Sequence, residues 1–363
     1  MNIFVEALVF VLAGYLSLTN GLASFIEQIL PGTETAPSVE ESVEFPSDIT
    51  LLHSFFSTSL PDILLKSSEY QQAALGAAAG LTGSTTNNPI EAIVNIFCTF
   101  ETSEYIRTTT GTGFFIDADG IILTNAHIAQ FLLLENTESF GDTECIVRSG
   151  NPAAARYHAG LLYISPAWIE RNAAMVDDAA PMGTGERDYA LLYITDSIDG
   201  GPLPAAFPAL AVDTELLPLS TQGDAVVAAG YPATDLLQNG PSTALYARSA
   251  TTSVSELYTF GSNYADIFSV LGSAVGAEGA SGGPIVDSNG HVIGMITTRG
   301  NDEVDGPGSL RAITLSHIDR TISEETGFTL AENLNGNLPY RAEVFAETMT
   351  PFLVQLLEDA RGN

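Results

Sequence analysis

From about residue 91 onward the apolar runs are short, and turn-forming residues separate them. Ala92 to Phe100 is the first strand-like run. Gly111 to Ile116 follows, then the turn Asp117-Ala118-Asp119-Gly120, then Ile121 to Thr124, which together read as a hairpin. Cys145 to Arg148, Ala159 to Ser165 and Ala190 to Thr195 continue the series, with a looser stretch between Pro166 and Gly185. A second set begins near Asp224, with runs at Ala225 to Pro232, Ala244 to Tyr258 and Asp266 to Leu271. It ends in a hairpin of Pro284 to Val286 with His291 to Thr298 across Asp287-Ser288-Asn289-Gly290. Many short strands joined by Gly and Pro turns imply an all-β sandwich or a pair of barrels, and periodicity alone does not separate the two.

The flanks read differently. Residues 1–30 are mostly apolar but carry Glu6 and no Lys or Arg ahead of the apolar core, so they are expected to be either a signal peptide or a membrane anchor. A buried amphipathic helix is the alternative reading. Residues 31–48 have the Pro, Gly and Glu content of a linker. Residues 49–82 show helical periodicity broken at Pro61, a loop follows at 83–89, and 49–89 together read as a helical neck. Residues 311–325 fit a closing helix. The remainder, 326–363, has Val344, Phe345, Met349, Phe352, Leu353 and Leu357 at helical spacing and is expected to pack on the body or on the 49–82 helices.

Lys plus Arg number 12 against 44 Asp plus Glu, a net charge of -32, so the surface repels nucleic acid and a polyanion-binding role is excluded. The two cysteines, Cys98 and Cys145, lie on either side of His127 in sequence. In an extracytoplasmic protein they are expected to form a disulfide; two buried free thiols are the alternative. No further Cys or clustered His accompanies them, so neither a metal nor a cofactor is expected.

The chemistry-bearing stretch is Gly279-Ala280-Ser281-Gly282-Gly283-Pro284. A serine hydroxyl is a weak nucleophile without a neighbouring base. The chain supplies a candidate base in Leu123-Thr124-Asn125-Ala126-His127 and a candidate orienting carboxylate in Arg187-Asp188-Tyr189-Ala190-Leu191-Leu192. The glycine pattern also fits the nucleophile elbow of the α/β-hydrolases. That motif takes its partners in the order Ser, Asp, His and places the serine between a strand and a helix. Here the order is His, Asp, Ser. A loop precedes the serine and a strand follows it.

The three stretches together, with Gly111-Thr112-Gly113 and the Gly230-Tyr231-Pro232 strand ending, resemble the chymotrypsin-like (trypsin-like) serine proteases, and the bacterial HtrA-type branch looks nearest. The resemblance covers roughly residues 91–325, and the protease domain it implies is 90–325. It implies a mainly β fold, a chymotrypsin-like double β-barrel, here with added N-terminal and C-terminal helices. It implies a serine endopeptidase acting on polypeptide through an acyl-enzyme. Ser281 would be the nucleophile, His127 the general base and then acid, and Asp188 the carboxylate that fixes the tautomer of the ring. Asp177, Asp178 and Asp196 are alternatives for that carboxylate, but neither Asp177 nor Asp178 leads into a comparable strand. The backbone N–H groups of Gly279 and Ser281 would form the oxyanion hole. The specificity pocket would have Val275 near its floor and Thr297, Thr298 and Arg299 on its wall. With no charge at the floor, small or apolar side chains are expected before the cut. Arg299 would otherwise narrow the pocket or recruit an acidic residue. His53, His158, His291 and His317 read as structural.

Two departures stand out. Trypsins activated from zymogens carry an aspartate where Ala280 stands, so activation by a freed N-terminus is not expected. HtrA-type proteases usually carry a PDZ domain, and the residues after 325 are too few for one. Export, as a secreted or membrane-anchored protein, follows from the reading of residues 1–30. Self-association through residues 49–82 or the C-terminal helix is an open expectation. A catalytically inactive protease-like binding module is the competing function, and an elbow-type esterase a more distant one.

Overall fold

The structure, a computed structural model, describes residues 86, 88–101, 106–135, 137, 141–178 and 185–362. The expected signal or anchor segment, the linker and almost all of the helical neck lie outside the described residues. Among the described residues no helix is long and apolar enough to cross a membrane.

The first barrel is built from β1 (Ile93–Glu101), β2 (Ile106–Phe115), β3 (Ile121–Thr124), β4 (Asp142–Ser149), β5 (Ala154–Ile164) and β6 (Ala190–Ser197). Its strands close in the order β1-β2-β3-β6-β5-β4. Between β2 and β3 the expected turn forms. Gly120 takes φ 93, a left-handed conformation that suits glycine, and the Asp117 carboxylate accepts the Asp119 N–H at 2.8 Å. The hairpin pairs Gly113 with Thr124 and Phe114 with Leu123, and this register brings the end of β3 beside the Gly111-Thr112-Gly113 stretch. Between β3 and β4 the chain makes one helical turn, α1 (Ala126–Ala129), followed by a 3-10 turn over Gln130–Leu134.

The chain then crosses to the second barrel: β7 (Ala211–Val212), β8 (Ala225–Gly230), β9 (Arg248–Tyr258), β10 (Ile267–Val270), β11 (Pro284–Val286), β12 (His291–Arg299) and β13 (Leu310–Thr314). Their order is β11-β8-β9-β10-β13-β12. The β11–β12 pairing closes this ring of strands, with β7 lying parallel along β12. The fold is therefore the double β-barrel expected from the resemblance. Each barrel has an apolar interior. Ile96, Phe114, Ile122 and Leu192 are buried in the first; Val226, Ala228, Phe268 and Ile296 are buried in the second. Burying a side chain of this size contributes roughly 1.5–3 kcal/mol, so each interior is a substantial driving force.

Three stretches differ from the sequence reading. Residues 166–177, expected to be loose, are helical over Pro166–Asn172 and continue as a 3-10 turn over Ala173–Asp177. The Ser165 side chain caps the first by accepting the Trp168 N–H, with Pro166 at the first helical position. A short helix, α2 (Thr234–Asn239), follows Gly230-Tyr231-Pro232. The closing helix begins later than expected. Residues 311–314 are β-strand, and α3 (Leu315–Thr326) starts only after Thr314, whose side chain caps it.

Two further helices, α4 (Leu338–Thr348) and α5 (Thr350–Gly362), complete the C-terminal region. They return to the first barrel. Phe345 of α4 is fully buried and meets Tyr163 of β5 edge to face, with ring centroids 6.4 Å apart.

Candidate active site

His127 sits on the single helical turn α1, directly after β3. Two contacts fix it against Asp188. The His127 backbone N–H donates to Asp188 Oδ1 at 2.9 Å, and its ring Nδ1 lies 2.7 Å from Asp188 Oδ2. Asp188 is 4% exposed and stands two residues before β6. Asn125, next but one before His127, donates its side-chain N–H to the Asp188 carbonyl at 2.9 Å. The Thr297 hydroxyl donates to Asp188 Oδ2 at 2.9 Å. The carboxylate is thus held by three donors from two barrels, which leaves the far nitrogen of the ring for the cleft. Of the alternative carboxylates, Asp196 pairs with His158 at 2.7 Å on the exposed end of β6 and Asp177 pairs with Arg361 at 3.1 Å; Asp178 lines the cleft, but it is Asp188 that contacts the His127 ring.

Ser281 and His127 line the same cleft between the barrels, with Gly279, Glu278, Thr110 and Leu237 around them. Among the described residues the Ser281 hydroxyl has no hydrogen-bond partner. Proton transfer to His127 requires the two to approach to about 3 Å. The nucleophile elbow is ruled out by local structure, because turns precede Ser281 and β11 follows it.

The loop before Ser281 is shaped by its backbone contacts. The Glu278 carbonyl accepts the Ala233 N–H at 2.7 Å. In a trans peptide the carbonyl and the next N–H point in opposite directions, so this bond turns the Gly279 N–H away from Ala233. Among the described residues neither the Gly279 nor the Ser281 N–H has a hydrogen-bond acceptor. Gly279 has φ 90, and a Cβ there would stand 2.6 Å from the Tyr231 carbonyl. Only glycine fits, because the Tyr231 carbonyl and Ala233 occupy the space a Cβ would need.

Thr112 carries a role that the motif reading left blank. It is fully buried in β2 and spans the seam between the barrels. Its N–H donates to the Ser281 carbonyl at 2.8 Å and its hydroxyl to the Gly279 carbonyl at 2.6 Å. The same hydroxyl accepts the Tyr231 N–H at 2.9 Å. One residue of the first barrel therefore holds the loop that carries Ser281.

The expected pocket residues divide. Thr297, Thr298 and Arg299 line the cleft, with Arg299 exposed and its guanidinium 3.7 Å from Asp302. Thr297 is mainly committed to Asp188. Val275 is fully buried in the apolar core of the second barrel.

Burial dominates the electrostatics beside the site. Glu325 of α3 is fully buried, and burial pushes its carboxyl above the usual 4.5 against the pull of Arg187. Burial is the largest single influence on Arg187 and works against its charge, but Glu325, Tyr189 and Glu324 together hold the guanidinium above its ordinary value. Burial likewise raises the Tyr189 phenol well above 10.0. His317 is buried against Asp266 and plays no part in the cleft; burial lowers its imidazole from 6.5.

Cys98 and Cys145 stand directly opposite each other in the β1–β4 pairing and are disulfide-bonded. Among the described residues no group of three His, Cys, Asp or Glu side chains could hold a metal ion.

Residues 111–295 match the family model for the trypsin-like peptidase domain. A curated relative, the uncharacterized protein y4bJ of Sinorhizobium fredii (strain NBRC 101917 / NGR234), is 28% identical over 192 residues, 53% of this chain. The chain spans only 22% of that relative's length. Among solved structures, the active form of the Rv3671c protease from M. tuberculosis is similar at 18% identity and a TM-score of 0.40, over 66% of this chain and 83% of that one. An inactive form of the same protein gives 17% identity and a TM-score of 0.40, over 69% of this chain and 95% of that one. The family match reaches from the start of the Gly111-Thr112-Gly113 stretch through Ser281 to Met295 and covers just over half of the chain, which belongs to the trypsin-like peptidase domain family.

Proposed function

We propose that this protein is a serine endopeptidase that hydrolyses peptide bonds through Ser281, His127 and Asp188. The observation that carries the reading is the His127–Asp188 couple facing a cleft that also holds Ser281 and two backbone N–H groups with no acceptor among the described residues. In this mechanism the Ser281 oxygen attacks the substrate carbonyl carbon while His127 Nε2 takes the hydroxyl proton. The carbonyl π pair moves onto oxygen, and the resulting oxyanion is received by the Gly279 and Ser281 N–H groups. The intermediate collapses, the C–N bond breaks, and His127 delivers the proton to the leaving amine. Water then repeats the sequence on the acyl-enzyme: His127 takes its proton, and the Ser281 oxygen leaves with that proton. Asp188 accepts the Nδ1 hydrogen throughout and stabilises the imidazolium. Losing one oxyanion donor costs about 3–4 kcal/mol in serine proteases.

The catalytic unit in this proposal is residues 90–325, with the C-terminal extension at 326–363, and the branch is the HtrA type. Ala280 supports that branch: it is fully buried among apolar neighbours of the second barrel and cannot form the ion pair of a zymogen-activated trypsin. Thr297 to Arg299 would pair with the substrate as an added strand. Small or apolar side chains are preferred before the cut. The Cys98–Cys145 bond supports an extracytoplasmic setting, with residues 1–30 as the export signal or anchor.

The test is reaction of the full chain with a serine-directed aryl phosphonate carrying an apolar side chain, read by intact mass. Wild type, Ser281→Ala and His127→Ala run in parallel. Labelling of the wild type alone is expected. A folded wild type that does not label would overturn the reading in favour of a protease-like binding module.

A further inference from the structure

Asp188 is flanked by two residues that face away from His127 and reach α3. Arg187, just before it, donates to Glu325 Oε1 at 2.5 Å and to Glu324 Oε2 at 2.7 Å. Tyr189, just after it, accepts the Thr321 hydroxyl at 2.9 Å and is fully buried. Thr321 and Glu325 are four residues apart on the same face of α3, so one helix grips both sides of the carboxylate.

The grip is set at an uncommon backbone. Arg187 has φ 57, a left-handed conformation that non-glycine residues rarely adopt, and it is the only described non-glycine residue with a positive φ. Its peptide neighbours are tied down: the Asp188 N–H donates to the Gly185 carbonyl at 3.1 Å, and the Tyr189 N–H donates to the Arg187 carbonyl at 2.9 Å. A residue in this conformation persists when its surroundings over-determine it, and such residues concentrate at functional sites. Here the determinant is Glu325. It is fully buried, and besides Arg187 it accepts the Ser165 hydroxyl at 3.1 Å and the Tyr163 hydroxyl. A carboxylate given this many donors far from solvent has one arrangement available to it, and the Arg187 side chain shares it.

We propose that Glu325 is a positioning residue for catalysis: through Arg187 it fixes the turn from which Asp188 reaches His127, so that α3 sets the orientation of the imidazole. This rests on the serine-peptidase reading above. The Glu325 carboxylate does not touch substrate. Its effect passes through the direction of the Asp188 carboxylate, and a small misorientation of the base lowers the rate of the chemical step while leaving substrate binding in place.

The experiment uses the full chain and the same apolar aryl phosphonate, with the maximal inactivation rate separated from the inhibitor dissociation constant. Glu325→Gln removes the charge that Arg187 seeks. Arg187→Gly removes the side chain and accepts the positive φ without strain, and the double variant Arg187→Gly, Glu325→Gln leaves no buried charge unpaired, so it keeps the comparison measurable if a single variant does not fold. With rates normalised to the folded fraction, both variants are expected to lose about tenfold or more in maximal inactivation rate and to keep the dissociation constant within about twofold. The deshielded proton on the His127–Asp188 hydrogen bond is expected to shift in the same variants, which a loss of stability alone would not produce. Folded Arg187→Gly that reacts at the wild-type rate with an unchanged His127 proton would overturn the proposal. Ser281→Ala separates the two readings. If it still labels at the wild-type rate, the serine-peptidase reading fails; if labelling is lost there but retained in Arg187→Gly, only the positioning role fails.

Discussion

The Thr112 hydroxyl donates to the Gly279 carbonyl at 2.6 Å, and so a residue of the first barrel shapes the loop on which the second barrel presents Ser281. The same oxygen accepts the Tyr231 N–H, which leads into the segment that captures the Glu278 carbonyl. The two barrels therefore share one hydrogen-bonded hub directly behind the cleft.

Thr112→Val tests that hub. Valine matches the shape of threonine and removes the hydroxyl, so the Tyr231 N–H and one acceptor site on the Gly279 carbonyl lose their partner without a change in volume. The expected loss of stability is about 2–4 kcal/mol, from two buried polar groups left short of a partner. Denaturant unfolding of wild type and variant measures it. An unchanged midpoint would mean that the seam is held elsewhere.

Ala233→Pro tests the orientation of the loop. Proline has no N–H, so the Glu278 carbonyl loses its donor and the 278–279 peptide is released to rotate. Ala233 is the N-cap of α2, so its N–H takes part in no intrahelical bond that proline would remove. A fall of about 10²–10³ in the rate of phosphonate labelling is expected, the size of losing one oxyanion donor. Circular dichroism checks that the fold survives; labelling at the wild-type rate would show that the peptide is held without this bond.

Glu135 tests the pH dependence of stability. Its carboxyl accepts the Cys145 N–H at 2.8 Å, and burial raises it from 4.5 to about 7 despite that bond. The folded protein thus holds a proton that the unfolded chain releases nearer 4.5. The contribution of this group is full below the unfolded value and is lost as pH rises through about 7. Glu135→Gln, which cannot ionise, should melt at a temperature closer to its own low-pH value at pH 8 than the wild type does. Parallel melting curves from pH 4 to pH 8 read the difference directly, since the other groups cancel between the two proteins. Parallel curves with a constant offset would refute it.

The disulfide joins residues 47 apart in sequence. Closing a loop of that size restricts the unfolded chain, and its removal is expected to reduce stability by about 2–4 kcal/mol. Unfolding of the Cys98→Ala, Cys145→Ala double variant against the oxidised wild type measures this. Phosphonate labelling of the folded variant should be unaffected, because neither sulfur touches the cleft.

Much of the body was legible because its signals are local. The turn Asp117-Ala118-Asp119-Gly120 encodes its own hairpin, and its glycine takes the positive φ that the turn needs. His127 follows a strand end, and the chain order of His127, Asp188 and Ser281 points to their meeting. The parts that escaped depend on contacts between distant segments. Val275 is assigned near a pocket floor by resemblance alone, and only the fold reveals its place in the second barrel's apolar interior. Thr297 reads as pocket wall, and only the fold reveals its hydroxyl against Asp188. The Pro166–Asn172 helix carried a legible cap in Ser165 and Pro166 that the looser composition of residues 166–185 obscured. Nothing in the spacing of Arg187 and Glu325 announces that they meet.

The return of α4 to β5 has a bearing on the order in which the protein is made. The Tyr163 face of the first barrel is covered by Phe345 of α4, which follows both barrels in the chain. During synthesis the strands of the first barrel emerge early, as N-terminal units generally do, but their last apolar cover emerges after both barrels have been translated. A nascent chain therefore possesses Ser281 before it possesses α4, and a ribosome-bound chain stopped before Leu338 would carry the cleft residues on a first barrel whose Tyr163 face still lacks Phe345.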